Sequence, residues 1–221
     1  FPEEANRVLA DRWCQFHFAP TEAAATKLRS ENLNSEGIFV TGNTVIDALL
    51  WMRERLKTMP FNPNVYQKAS PLFAEQRDRQ MVLITGHRRE SFGDGFANIC
   101  TAIAQLSNRH PDIAWVYPVH LNPNVLGPVN NRLNKIDNVY LIPPQDYPDF
   151  VRLMDRSKLI LTDSGGIQEE APSLNKPTLV MRDATERPEG VDAGVVKLVG
   201  TNVNRIVSGV SQLLDDPKEV H

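Results

Sequence analysis

Apolar positions along this chain fall into two alternating patterns. Short runs at Ile38–Thr41, Met81–Thr85, Ile113–Val119, Val139–Ile142, Leu159–Thr162, Thr178–Met181 and Val195–Val199 are rich in leucine or β-branched residues. Each is bounded by Gly, Pro, Asn or Asp, which predicts a strand. Between them the apolar spacing lengthens. Phe96, Ile99, Cys100, Ile103 and Leu106 make one stripe of a helix, with Ser91 and Asp94 ahead of it as candidate caps. Val45, Leu49, Met52 and Leu56 repeat the stripe, as do Ile206, Val210, Leu213 and Leu214. Strands apolar on both faces, alternating with helices, predict an α/β fold with a parallel sheet covered on both sides. Met59–Asp78, with Pro60, Pro63 and Pro71, reads as the least structured interior stretch.

The termini read as cuts in a longer chain. Pro2, Glu3 and Glu4 fit the first turn of a helix, with carboxylates at its positive end. Asp215–Asp216–Pro217 would stop another helix and leave Lys218–His221 as a stub of a further segment.

Composition narrows the class. With 41% hydrophobic and 23% charged residues among 221, a sizeable core is expected and disorder is not. The 24 basic and 27 acidic residues leave a net charge of −3 with no dense cationic run, which argues against nucleic acid as a partner. No apolar run approaches the roughly 20 residues of a membrane helix, so no membrane is expected. Cys14 and Cys100, the two cysteines, cannot build a disulfide framework, which fits a reducing cytoplasm. The five histidines show no metal-ligand spacing, so no metal is implied.

Ligands of open parallel sheets lie beyond the carboxyl ends of the strands. That rule selects the loops 86–90, 120–124, 163–170 and 182–189. The stretch Asp163–Glu170 follows a strand and opens a helix, so the N–H groups near Ser164, Gly165 and Gly166 suit a phosphate. Glu169 and Glu170 lie about one turn further on, where a carboxylate can accept from a sugar or ribose diol; a plain tight turn with first-turn acids is the competing reading. Gly86–Glu90 offers His87 for proton transfer and Arg88 and Arg89 for phosphate oxygens, or else arginines paired with Glu90. His120 ends a further strand; alone, it reads more readily as structural.

Taken in order, several motifs resemble one family. They are Phe1-Pro-Glu-Glu-Ala-Asn-Arg7, Gly42-Asn-Thr-Val-Ile-Asp47, Thr85-Gly-His-Arg-Arg-Glu90, Pro118-Val-His-Leu-Asn-Pro123, Asp163-Ser-Gly-Gly-Ile-Gln-Glu-Glu170 and Met181-Arg-Asp-Ala-Thr-Glu-Arg-Pro-Glu189. Across essentially the whole chain they resemble the bacterial non-hydrolysing UDP-N-acetylglucosamine 2-epimerases. The resemblance implies a Rossmann-like domain forming one half of a two-domain, glycosyltransferase-B-like fold. Residues 1–36 would then be the crossover from the other half, and 37–221 the UDP-binding domain. It implies interconversion of UDP-GlcNAc and UDP-ManNAc with no redox cofactor or metal, in a cytoplasmic homodimer serving polysaccharide synthesis. By the same resemblance Glu3 and His87 are catalytic. Ser164, Gly165 and Gly166 hold phosphate, Glu170 holds the ribose, and Phe150 packs on uracil. Arg88 and His120 look like residues that bind a second, regulatory UDP-sugar in some members. A glycosyltransferase of the same architecture, and a nucleotide-binding module without catalysis, remain as alternative readings.

Overall fold

The computed structural model describes residues 2–215; Phe1 and the expected helix stop and stub at 216–221 lie outside them. Among these residues the strands are β1 (His17–Ala19), β2 (Ile38–Val40), β3 (Met81–Thr85), β4 (Ala114–Pro118), β5 (Val139–Ile142), β6 (Leu159–Thr162), β7 (Thr178–Val180) and β8 (Val196–Leu198). The helices are α1 (Pro2–Trp13), α2 (Glu22–Ser30), α3 (Thr44–Arg55), α4 (Pro71–Ala74), α5 (Asp94–Arg109), α6 (Pro123–Leu133), α7 (Tyr147–Arg156), α8 (Gly165–Ser173), α9 (Pro188–Asp192) and α10 (Val203–Asp215). The chain divides into two compact units, Phe1–Trp51 and Met52–His221.

In the first unit β1 and β2 form a parallel pair, and Ala19 and Ile38 of these strands are buried in one small cluster with Ala25 of α2. Phe16, Phe18 and Phe39 are exposed, with the Phe18 and Phe39 rings stacked at 5.9 Å between centroids. Arg7 of α1 bridges Glu4, Asp11 and Glu31. The strand expected at Ile38–Thr41 is therefore present, but its partner is the short His17–Ala19 and not the main sheet. Apolar spacing does not reveal that partner, because three residues carry too little alternation to mark a strand.

The second unit is the parallel α/β body. Its six strands run in the order β5-β4-β3-β6-β7-β8, every pairing parallel. Val82 and Ile84 of β3, Trp115 and Tyr117 of β4, and Leu161 of β6 join Phe96, Ile99, Ile103 and Leu106 of α5 in one core. The alternate residues Leu83, Val116 and Ile160 point to the opposite face and are equally buried. Burial on both faces is what makes these strands read as unbroken apolar runs.

The chain winds outward from β3 in both directions, through β4 and β5 on one side and β6 to β8 on the other. Thr85 and Thr162 are register partners at the carboxyl ends of the two central strands. The loops after these two strands part company, opening the crevice in which such sheets bind ligands.

Two local expectations change. The 59–78 stretch is ordered: Pro63 and Pro71 open a 3₁₀ turn (Pro63–Ala69) and α4, where a missing N–H costs nothing. Tyr66 stacks on Phe73 at 4.1 Å, and the Arg156 guanidinium gathers the carbonyls of Leu72, Gln76, Arg77 and Arg79. Nor do Ser91 and Asp94 cap α5 through their side chains. Ser91 is buried in a 3₁₀ turn, Asp94 is the first helical residue, and the cap is Gly93 at φ +82°.

Candidate active site

Asp163 organises the crevice. It comes directly after β6, is wholly buried, and its Oδ2 accepts from the backbone N–H of His87 at 2.7 Å and of Arg88 at 2.8 Å. Its Oδ1 accepts no hydrogen bond and lies 3.5 Å from His87 Nδ1. One carboxylate thus fastens the loop after β3 to the start of the loop after β6. Beneath it the Thr85 and Thr162 hydroxyls meet at 2.6 Å, and Thr162 Oγ1 also accepts from Ser164 N–H. The Tyr117 hydroxyl, at the end of β4, donates to the Gly86 carbonyl at 2.9 Å. These bonds fix the backbone at both ends of the crevice floor.

Ser164 is the cap residue of α8, at φ −80° and ψ 133°. Gly165 and Gly166 are the first helical residues, whose N–H groups have no partner in the helix. Neither glycine has a positive φ, so conformation is not what selects them. Space is the reason at Gly165: a Cβ there would meet Arg88 Nη2 at 3.3 Å and Arg187 Cζ at 3.6 Å. Beside Gly166 a Cβ would meet nothing within 4 Å. Two guanidinium groups therefore lie against the positive end of α8, beside open volume. Both the dipole and the arginines favour an anion there.

Carboxylates tie the cations in place. Arg187 Nε donates to Glu169 Oε1 at 2.7 Å, so Glu169 is engaged by a cation. Arg182, buried behind, holds Glu186 through both terminal nitrogens at 2.8 and 2.9 Å and also takes Glu90. Glu90 thus pairs with Arg182, and this pairing leaves Arg88 directed at the helix end. The Arg182 hydrogen bonds lower the Glu186 carboxyl to about 2.

Glu170, further along α8, is buried, and desolvation raises its pKa above the ordinary carboxylate value. Its Oε1 accepts from the Tyr147 hydroxyl of α7 at 3.0 Å. On the other side of the crevice the His87 and His120 rings stack with centroids 5.5 Å apart and planes 16° from parallel. His120 Nδ1 accepts from Asn122 N–H at 3.0 Å.

The residues singled out in sequence divide between the two units. His87, Arg88, His120, Ser164, Gly165, Gly166 and Glu170 all lie beyond the carboxyl ends of β3, β4 and β6, within one unit. Phe150 is half-buried on α7, the helix that supplies Tyr147. Glu3 stands in the first turn of α1, in the other unit, and is exposed. Sequence reasoning passes over Asp163, Tyr117, Tyr147 and Arg187. Only Asp163 carries a signal, as an acidic residue directly after a fully buried strand at a switch point. Among the described residues no group of three or more His, Cys, Asp or Glu could hold a metal ion, and no helix is long and apolar enough to cross a membrane.

A parallel α/β domain whose helix end at the topological switch point is flanked by two guanidinium groups has the form of the broad class of nucleotide-binding sheets. Sequence comparison makes the assignment specific: the chain belongs to the UDP-N-acetylglucosamine 2-epimerase family, which it matches over residues 1–221. It is 56% identical over 222 residues to the UDP-N-acetylglucosamine 2-epimerase of Yersinia pestis, covering all of this chain and 58% of that protein. Its fold superposes with a TM-score of 0.90 on the UDP-GlcNAc 2-epimerase of Neisseria meningitidis bound to UDP-GlcNAc, at 48% identity, over 100% of this chain and 58% of the other. The Methanocaldococcus jannaschii enzyme in complex with UDP-GlcNAc and UDP matches at 33% identity and a TM-score of 0.79, over 97% of this chain and 58% of that one. The chain thus spans a little over half the length of these relatives.

Proposed function

We propose that this chain is the nucleotide-binding half of an enzyme that interconverts UDP-GlcNAc and UDP-ManNAc. The observation that carries the reading is the α8 N-terminus, flanked by Arg88 and Arg187 and leading to the buried Glu170, in a chain so similar to these epimerases throughout its length. The diphosphate takes the helix end and the two guanidinium groups, and Glu170 accepts from the ribose hydroxyls. Phe150, on the helix that also presents Tyr147, serves the uracil.

The chemistry asks for such a site. The C2 proton of the sugar is only weakly acidic. If the C1–oxygen bond breaks with its electron pair leaving on UDP, loss of that proton forms a C1–C2 double bond instead of a high-energy carbanion. Return of a proton to the opposite face of C2, with UDP re-adding at C1, gives the epimer. Charge accumulates on departing UDP, where fixed cations and a helix dipole stabilise it most. His87 and Glu3 are the acid–base groups of this reading. Arg88 and His120 are, in this reading, the residues that would also contact phosphate oxygens of a second, regulatory nucleotide sugar. A cytoplasmic homodimer is the form in which we propose the whole enzyme acts, in keeping with its family.

The test has two parts. The full-length enzyme that contains this chain, given UDP-GlcNAc in deuterated water without an acceptor, should form UDP-ManNAc and place deuterium at C2. Absence of both would refute the proposed activity. The chain itself should bind UDP with a Kd on the order of 0.1–1 mM by calorimetry, as expected for part of a cleft. No heat at millimolar UDP would refute the site.

A further inference from the structure

Two stacked histidines of the crevice are held by different partners, and the difference decides where each carries its proton. His87 presents Nδ1 to Asp163 Oδ1 at 3.5 Å. That oxygen is buried and without a hydrogen bond, and its companion Oδ2 is held by two backbone N–H groups, so the carboxylate cannot turn away. An ionised carboxylate only accepts. A neutral ring beside it is favoured with hydrogen on Nδ1, since the other tautomer would set a lone pair against the oxygen. A short ring movement closes the gap to hydrogen-bond length. His120 has the reverse arrangement: its Nδ1 accepts from Asn122 N–H, which places its own hydrogen on Nε2.

We propose that Asp163 is a positioning residue that fixes His87 as the Nδ1–H tautomer, so that the stacked pair offers opposite faces of proton chemistry: an acceptor at His87 Nε2 and a donor at His120 Nε2. The rings are near parallel with centroids 5.5 Å apart, so both functions belong to one part of the crevice. His87 Nε2 can then take a proton from substrate, and the imidazolium so formed gains an ion pair with Asp163. His120 Nε2–H can donate to a phosphate or sugar oxygen. The tautomer assignment derives from the contacts alone; its use in catalysis rests on the proposed epimerase reading.

The groups in contact with the pair are Asp163 from the loop after β6, against His87, and the Asn122 backbone after β4, against His120. Long-range proton–nitrogen correlation spectra of the ¹⁵N-labelled chain at pH about 8.5, where free imidazoles are neutral, read the tautomers directly. His87→Gln and His120→Gln identify the signals. The expected spectrum has a protonated Nδ1 and bare Nε2 for His87, and the opposite for His120. His87 with its hydrogen mainly on Nε2, as in free histidine, would overturn the proposal. In Asp163→Asn the amide oxygen can keep the two backbone bonds while the NH₂ faces the ring. His87 should then switch to the Nε2–H form and His120 should keep its own. An unchanged His87 in a folded Asp163→Asn protein would also overturn it. Should that variant not fold, the wild-type spectrum decides. No substrate enters the measurement, so its failure is distinct from failure of the epimerase reading.

Discussion

The Tyr147 hydroxyl donates to Glu170 Oε1 at 3.0 Å, joining α7 to α8 across the buried carboxylate of the candidate ribose site. Burial and the neighbouring carboxylate push the Tyr147 hydroxyl up to about 12, so it stays a donor at neutral pH. Removing it should loosen the orientation of Glu170 without opening a cavity. Tyr147→Phe is expected to weaken UDP binding about 3–10-fold by calorimetric titration, the worth of an ordinary hydrogen bond, because the bond lost orients Glu170 without touching the ligand. Unchanged affinity would detach Tyr147 from the ribose site.

Glu170 itself should show a trade between stability and binding. Its folded pKa is raised by desolvation, so its contribution to stability is fully present below the ordinary value of 4.5 and is lost as pH rises through the raised one. Glu170→Gln mimics the protonated form and keeps an acceptor for Tyr147. At pH 7 the variant should melt at the same temperature as wild type or higher, and the difference should vanish by pH 4. UDP affinity should fall at pH 7 all the same. A lower melting temperature at pH 7 would show that the ionised carboxylate is compensated by something else.

Gly165→Ala separates folding from binding at a single atom. Gly165 is the first residue of α8, so alanine brings a helix-propensity gain smaller than the roughly 1 kcal/mol of a helix interior. Its methyl group would press on Arg88 Nη2 at 3.3 Å and on the Arg187 guanidinium behind it. Thermal stability should be unchanged or slightly higher while UDP affinity drops roughly tenfold, equivalent to about 1.4 kcal/mol. Equal affinity would mean that the guanidinium positions do not matter to the anion.

Thr162→Val removes a hydroxyl that serves both Thr85 and Ser164 N–H in a fully buried place. The substitution is isosteric and leaves an N–H and a hydroxyl short of a partner. Urea denaturation should show a loss of about 1–3 kcal/mol. A neutral result would mean that the helix end finds another acceptor.

Arg182→Met tests the ion cluster behind the anion site. Glu186 is held at about 2 by Arg182, so the stability it contributes is present above pH 4.5 and is lost as pH falls toward 2. The variant should melt below wild type at pH 7, and the gap should narrow on acidification over that window. Because the Glu186 side chain is 56% exposed, solvent screening keeps the effect modest. A gap independent of pH would point to lost packing instead.

The central sheet is legible in the sequence because its strands are buried on both sides: Met81–Thr85, Val139–Ile142 and Leu159–Thr162 begin and end where their apolar runs do. The His17–Ala19 strand is not, since pairing with Ile38–Val40 is a tertiary choice that three residues do not announce. Prolines mislead at 59–78, where they start helical turns whose burial depends on Tyr66 finding Phe73. At the site, residue types and loop positions are readable, but partners are not. Arg187 reaches Gly165 and Glu169 across a distance in sequence that no local pattern encodes, and Glu90 takes Arg182 instead of a neighbour in its own loop.

The Asp163 tether has an evolutionary consequence. Because a side chain from one loop holds the backbone of another, the two loops cannot drift independently. A replacement at 163 that cannot accept these two backbone bonds disturbs both the tethered loop and the ring offered to a proton, so most single changes other than to Asn are harmful on two counts. Paired changes are the accessible route, and variation within 86–88 should depend strongly on what stands at 163. A deep mutational scan would register this as sign epistasis between these positions, concentrated at the switch point and absent from the outer strands.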